Sequence, residues 1–214
     1  MKLLKLRQEI IRTVCSFGPA GLSIGTSGNV SVRTQDGFLI TPTGVAYAEL
    51  KPASIIELDL SGKRITGKLL PSSEWRIHAY LYRKRPEVKA IVHVHSTYAT
   101  TVSCIRQTIP AIHYHISLLG GDSVRCADYA TFGTRHLSVN AVHALEGRYA
   151  CLLANHGQLA LGDDLTTALK RAIEVEQLAR LYCIASAVGK PVVLDQDEVK
   201  INLEKFRHYG KQET

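Results

Sequence analysis

The chain has 214 residues, 45% of them hydrophobic, and a formal net charge of +7 at pH 7. That length fits one large α/β domain or two small ones with a sizeable core, and no apolar run reaches the roughly 18 residues that a membrane span needs. Charges interrupt the apolar positions of the opening Met1–Glu9 stretch, which argues against a signal peptide and makes the cytoplasm the expected setting.

Leu3, Leu6, Ile10, Ile11 and Val14 recur at three- and four-residue spacings, so an amphipathic helix over 3–16 opens the domain and Gly18-Pro19 stops it. Glycines, hydroxyls and an amide then crowd Gly25-Thr26-Ser27-Gly28-Asn29, just before the alternating strand of Val30 and Val32. Such a turn can aim backbone N–H groups inward and admit an anion, although an ordinary glycine hairpin has the same composition. A hairpin from Arg33 to Thr41 turns at Gln35-Asp36-Gly37 and runs into a second hydroxyl-rich turn, Thr41-Pro42-Thr43-Gly44. Residues 54–67 read as another hairpin around Ser61-Gly62. A helix begins near Ser72 with a hydroxyl N-cap, carries Glu74 in its first turn, buries Trp75, Ala79 and Leu81 or Tyr82, and ends at Pro86. Ser72 and Ser73 then stand at a positive helix terminus, a third place to hold phosphate oxygens.

In Ala90-Ile91-Val92-His93-Val94-His95-Ser96, strand alternation projects His93 and His95 from one face. Paired imidazoles suit one divalent metal, since histidine nitrogens lie about 2.0–2.1 Å from zinc; an edge strand with two solvated histidines is the competing interpretation. Residues 97–106 read as a helix, 109–115 as extended, Ser123–Cys126 as a strand and 135–147 as a helix. Ala150–Ala154, the His156-Gly157 turn and Gln158–Leu161 form a last hairpin. Asp163 or Asp164 caps a long helix that stops near Gly189-Lys190-Pro191, and a final helix from Asp195 to His208 precedes the tail Tyr209–Thr214. Hairpins outnumber strand-helix-strand units, which predicts a single-domain α/β/α layered fold with a central, mainly antiparallel sheet.

The positive charges are dispersed. Arg83-Lys84-Arg85 is a run at a helix end, where cations suit the dipole, and no stacked-aromatic or recognition-helix pattern accompanies it. A nucleic-acid partner is therefore not expected, while the surplus charge suits steering of a small anionic substrate. Five scattered cysteines without a Cys-x-x-Cys pair read as reduced core thiols.

Glu74, His93, His95 and His156 together offer three neutral nitrogens and one carboxylate, a set that favours zinc over magnesium or calcium. A carboxylate able to swing away would expose a Lewis acid and free a base at once. Three neutral anion-holding turns beside that set describe the gripping of a small phosphorylated molecule while a metal polarises its carbonyl or hydroxyls.

At Gly25–Ser31, Ile40–Gly44, Pro71–Trp75, His93-Val94-His95, Ile109–Tyr114, Tyr129–Thr134 and His156-Gly157 the sequence resembles the class II aldolase/adducin-head family, essentially end to end. The resemblance implies one domain over 1–214, a homotetramer with active sites at subunit interfaces, and one zinc per subunit on Glu74, His93, His95 and His156. It implies phosphate binding by Gly28, Asn29, Thr43, Gly44, Ser72 and Ser73, acid/base chemistry by Glu74, and a catalytic Tyr114 supplied by the neighbouring subunit. The tail, 206–214, would bring Phe206 and Tyr209 to the site mouth. The implied reaction is reversible cleavage of a 1-phosphoketose, L-fuculose 1-phosphate foremost, to dihydroxyacetone phosphate and an aldehyde. From bare sequence, Tyr114 reads rather as a packed interface aromatic, and the catalytic role comes only from the resemblance. The family's ribulose-phosphate epimerase branch usually carries Asp in place of Glu74, its oxo-tetronate phosphate decarboxylase branch Lys in place of Ser73, and its non-enzymatic adducin heads lack the histidine set. Those branches, a 5-deoxyribulose-phosphate aldolase and a noncatalytic, metal-stapled oligomerisation or nucleic-acid-binding module are the alternatives. His115 and Asn155 are the local departures, with consequences for the sugar pocket.

Overall fold

The computed structural model describes residues 3–209. Helix α1 (Leu4–Cys15) leads into strands β1 (Asn29–Arg33), β2 (Phe38–Ile40), β3 (Ile56–Leu58) and β4 (Arg64–Thr66), then helix α2 (Trp75–Lys84) and strand β5 (Ala90–Val94). Helix α3 (Thr97–Cys104), the short strands β6 (Ile109–Pro110), β7 (Ser123–Val124) and β8 (Cys126–Ala127), and helix α4 (Arg135–Ala144) follow. Strands β9 (Ala150–Leu153) and β10 (Gly157–Gly162) and helices α5 (Leu165–Val188) and α6 (Gln196–His208) complete the chain.

One sheet of eight strands in the order β4-β3-β2-β1-β5-β10-β9-β8 forms the middle layer, and every pair in it is antiparallel except β8 with β9. Alternation along β5 assigns its two faces. Val92 and Val94 pack with Ile10 and Val14 of α1, Val102 of α3 and Val175 and Leu178 of α5, while Ile91 packs with Ile77 and Leu81 of α2 and Leu137 and Ala141 of α4. The expected three layers are therefore present, with α1, α3 and α5 on one face and α2 and α4 on the other. No described helix is long and apolar enough to cross a membrane.

Several local expectations need correction. Only Ile109 and Pro110 of the stretch 109–115 are in a strand; the Ile112 amide turns back to the Pro110 carbonyl, and Tyr114–Leu119 forms a 3-10 helix that buries Ile116 and Leu119. The strand expected over Ser123–Cys126 is split, because β7 pairs with β6 while β8 crosses to β9. Helix α2 starts at Trp75, so Glu74 is its N-cap residue, and the Ser72 hydroxyl accepts from the Glu74 amide, 3.3 Å, instead of capping the helix itself. Trp75 is only half-buried. Of the five cysteines Cys151 alone is buried, and Cys15 and Cys104 are exposed. Phe206 belongs to α6, not to a tail, and 210–214 of the expected tail lie outside the described residues.

Candidate metal centre

Four residues from three segments converge on one point at the end of the sheet. His93 stands in the central strand opposite Asn29 of β1 and Leu159 of β10, and His95 follows one residue beyond the end of β5. His156 lies in the β9–β10 connection, where Asn155 takes a left-handed φ of 53°. That uncommon conformation is held by the Arg106 Nε donating to the Asn155 Oδ1, 2.9 Å, and by the Asn155 amide donating to the Ser103 carbonyl, 3.0 Å. Glu74 enters from the start of α2.

The donor atoms of these four residues all lie within 4.8 Å of one another. Glu74 Oε2 is 3.0 Å from His93 Nε2, Glu74 Oε1 is 3.3 Å from His156 Nε2, and the Nε2 atoms of His93 and His95 are 2.9 Å apart. His93 Nδ1 donates to the Gln158 carbonyl, 2.8 Å, which turns Nε2 toward the centre. Glu74 Oε1 is buried without a hydrogen-bond donor, an arrangement that costs about 1–3 kcal/mol unless something positive meets it. A cation held among three imidazole nitrogens and this oxygen removes that cost, so the residues present fit a divalent metal.

Burial opposes charge on the Glu74 carboxyl, but His93, His156 and the Asn29 amide outweigh it and hold the group well below the usual carboxylate range. Burial likewise opposes charge on His93, yet Glu74 and the Gln158 carbonyl raise its pKa above the ordinary value. His95 is pushed down to about 3 and His156 to about 4, in both cases by burial first and by the neighbouring histidines second. At neutral pH two rings are thus ready as neutral ligands, while any proton on His93 has to leave before that ring becomes the third.

A cleft of about 330 Å³ opens beside the four ligands, lined by Gly28 and Asn29 from the first turn, Thr43 and Gly44 from the second, and Ser72 and Ser73 from the third. The three turns expected to hold an anion are therefore brought to one cavity, together with Glu74, His95 and His156. Two of them are tied to each other: the Thr43 amide donates to Leu70 and the Ser72 amide to Thr41, so those two N–H groups are already used. Gly28 has a steric reason as well, since a Cβ there would lie 2.9 Å from the His93 carbonyl and 3.2 Å from the Phe17 ring. Gly44 has a conformational one, a φ of 66°. Among the described residues no lysine or arginine lines the cleft, so an anion would meet hydroxyls, amides and the centre itself.

Tyr114, Phe206 and Tyr209 do not line this cleft. Tyr114 is 45% exposed and stacks on Phe206 with ring centroids 5.8 Å apart, and Phe206 meets Tyr209 edge-on at 6.0 Å. They form a separate aromatic patch on the 3-10 helix and α6.

Asn155, expected to affect the sugar pocket, lines the cleft, and so do Tyr129, Ala130 and Phe132 of the matched stretch Tyr129–Thr134. Sequence reasoning overlooked other supporting groups. Gln158 gives its carbonyl to His93 and donates its side-chain amide to Ser96 Oγ, 2.8 Å. The Glu176 carboxylate accepts from the amides of Tyr98 and Ala99, both at 2.9 Å, and so fixes the start of α3 directly after His95. A polar Gln in an apolar strand and a Glu amid Ala172, Val175 and Ala179 on the buried side of α5 were the available signals.

The family described as the class II aldolase and adducin N-terminal domain matches residues 8–183. The chain is 50% identical over 207 residues to the L-fuculose phosphate aldolase of Escherichia coli, covering 96% of both proteins. It is 45% identical over 205 residues to the 5-methylthioribulose-1-phosphate/5-deoxyribulose-1-phosphate aldolase of Rhodospirillum rubrum, covering 96% of this chain and 92% of that protein. A solved structure of an L-fuculose 1-phosphate aldolase superposes with a TM-score of 0.92 at 43% identity, covering 95% of this chain and 96% of that one.

Proposed function

The chain belongs to the class II aldolase and adducin N-terminal domain family, and from that premise we propose a zinc-dependent aldolase that reversibly cleaves L-fuculose 1-phosphate into dihydroxyacetone phosphate and L-lactaldehyde. The observation that carries the reading is the Glu74 carboxylate, with one buried oxygen lacking a donor, facing three imidazoles across a hydroxyl-lined cleft. A metal held by Glu74, His93, His95 and His156 would supply a Lewis acid for the ketose oxygens and stabilise negative charge developing on them. Gly28, Asn29, Thr43, Gly44, Ser72 and Ser73 would hold the phosphate and so place the chain of the sugar against the ligands. As the C3–C4 bond breaks, its electron pair stays with the phosphate-bearing fragment and the C4 hydroxyl proton leaves as the aldehyde forms. Glu74 then delivers a proton to C3, and in the condensing direction it removes that proton. Tyr114 of a neighbouring subunit exchanges the proton on the aldehyde oxygen, with Phe206 and Tyr209 at the mouth of the site. The proposed enzyme is a homotetramer, with one domain spanning 1–214 in each subunit, working in the cytoplasm.

A second substrate is favoured by the 45% identity to an aldolase of 5-deoxyribulose 1-phosphate, because the two sugars differ only in the aldehyde half. Discrimination between such aldehydes rests on about 1–3 kcal/mol per methylene-sized group. Release of dihydroxyacetone phosphate from a panel of 1-phosphoketoses ranks them. Chelation should abolish turnover, and zinc should restore it; turnover that survives full metal removal sinks the metal-dependent reading. Glu74→Gln, which cannot act as a base at neutral pH, should stop deuterium exchange at C3 of dihydroxyacetone phosphate.

A further inference from the structure

Beneath the metal centre lies a buried polar ladder whose members His78, Ser31 and Tyr82 have no part in the catalytic scheme. Glu74, His78 and Tyr82 recur every four residues along α2, and Asn29 and Ser31 recur every two along β1, on the sheet face that α2 covers. Four helical residues advance about 6.0 Å and two strand residues about 6.6 Å, so the two rows interleave rung by rung. Asn29 Nδ2 donates to Glu74 Oε2 at 3.0 Å, and His78 Nε2 lies 2.6 Å from Asn29 Oδ1. Ser31 Oγ lies 2.6 Å from His78 Nδ1 and 2.8 Å from the Tyr82 hydroxyl. His78 and Ser31 are fully buried.

The direction of every bond follows from one end. An ionised carboxylate only accepts, so Asn29 must present its NH2 group to Glu74 and its carbonyl to His78. His78 must then carry its proton on Nε2, leaving a lone pair on Nδ1. Ser31 fills that lone pair by donating to it, and Tyr82 donates to Ser31. Beyond Tyr82, Arg33 lies over the ring at 4.6 Å and donates to the Tyr82 carbonyl at 2.7 Å, closing the ladder.

We propose that His78 is a positioning residue for Glu74: acting through Asn29, it anchors Oε2 and leaves the donor-free Oε1 as the oxygen that meets metal and substrate. The inference rests on Glu74 being the acid/base group of the proposed reaction. The amide of Asn29 cannot release a proton at accessible pH, so a proton taken by Glu74 cannot drain into the interior and returns to the substrate. Burial holds His78 down at about 3, so the ring stays neutral and its tautomer fixed through the working range. Had His78 served only to fill space under the sheet, an apolar ring or chain of similar volume would serve as well, and the ordered donors would have no object.

The test compares His78→Gln, whose terminal amide can still reach Asn29 as Nε2 does, with His78→Asn, which preserves only the side toward Ser31. In the zinc-loaded protein, His78→Asn should weaken zinc by 10- to 100-fold, the range for losing a supporting partner, and slow deuterium exchange into dihydroxyacetone phosphate mainly through kcat. His78→Gln should recover most of both. Nitrogen NMR of the zinc-loaded wild type, with the His78 signal assigned by its loss in His78→Gln, should report the Nε2–H tautomer. Equal behaviour of the two variants, or an Nδ1–H tautomer, overturns the proposal. If wild-type protein binds no zinc and exchanges no deuterium, the catalytic reading fails on its own, and the tautomer still decides whether the ladder is ordered as described. Should either variant fail to fold, Tyr82→Phe, which removes one distant hydroxyl, must shift the His78 nitrogen signals, and no shift overturns the proposal.

Discussion

The metal ligands and the aromatic patch around Tyr114 both gather residues distant in sequence, yet they are held in unlike ways. Glu74 and His93 are 7% and 1% exposed, and their orientations are set by Asn29 and by the Gln158 carbonyl within the same chain. Tyr114 and Tyr209 are 45% and 80% exposed, and ring contacts with Phe206 link them. Beside them His115 Nδ1 pairs with Glu174, 2.9 Å, in a half-buried contact. Buried carboxylates and imidazoles mostly need partners, so one chain orients the metal half by its own packing and leaves Glu74 Oε1 without a donor. A phenol at the surface carries no such demand. The difference is in keeping with the proposal that different subunits supply the two halves of the reaction, one held inside its own chain and the other exposed at its surface.

Removing a ligand tests the internal half most severely. His93→Ala, His95→Ala and His156→Ala should each lose stoichiometric zinc by metal analysis. Turnover should fall by more than the roughly 100-fold expected for a supporting residue. A variant that kept both would not have lost a ligand.

Changing Tyr114 tests the external half. Tyr114→Phe should keep its zinc and its deuterium exchange on dihydroxyacetone phosphate, but lose about 100-fold in carbon–carbon cleavage, the size typical of one proton-transfer group. Mixed tetramers of Tyr114→Phe and His93→Ala chains should regain part of that activity, because some interfaces then combine an intact centre with an intact phenol. Verified mixed tetramers without recovery would erase the division between subunits.

Acid sharpens the contrast from the side of the metal. His93 is raised above 6.5, so metal must displace one proton from it, while His95 and His156, held at about 3 and about 4, are already neutral. Apparent zinc affinity should therefore climb with pH from 6.5 upward until His93 is neutral, and fall about tenfold per pH unit below that point. Below that point, calorimetry in buffers of different ionisation enthalpy should count one proton released per zinc. Release of three would mean that the rings are charged without metal.

Much of the internal half was legible in the sequence because its signals are local. The period-two placement of His93 and His95, the glycine and hydroxyl turns, and an apolar run ending at His156 each have a short-range cause. Its supports were not legible, since the interleaving of Asn29, His78 and Ser31 needs the register of α2 over β1, which no single segment specifies. In the external half the stretch 109–115 misled: its β-like residues turn after Pro110 because Ile116 and Leu119 are drawn into the core, a tertiary demand that overrides local preference.

The smallest expected effect separates the halves most finely. Asp195 is the N-cap of α6 and accepts from the Glu198 amide at 2.8 Å, so Asp195→Ala should cost about 1 kcal/mol of local helix stability. Helix α6 stays docked through buried Val199, whose carbonyl accepts from Ser117 Oγ at 3.2 Å, and through the Leu194 amide on the Ala111 carbonyl at 2.9 Å. The loss should therefore appear as fraying of the first turn and a slight shift of Phe206 against Tyr114. Since about 1 kcal/mol is the most that can reach the site, the KM for aldehyde in the condensing direction should rise by no more than roughly fivefold, with zinc affinity and deuterium exchange unchanged. If zinc affinity fell in parallel with aldehyde binding, α6 would be part of the support of the metal centre, and the two halves would be one.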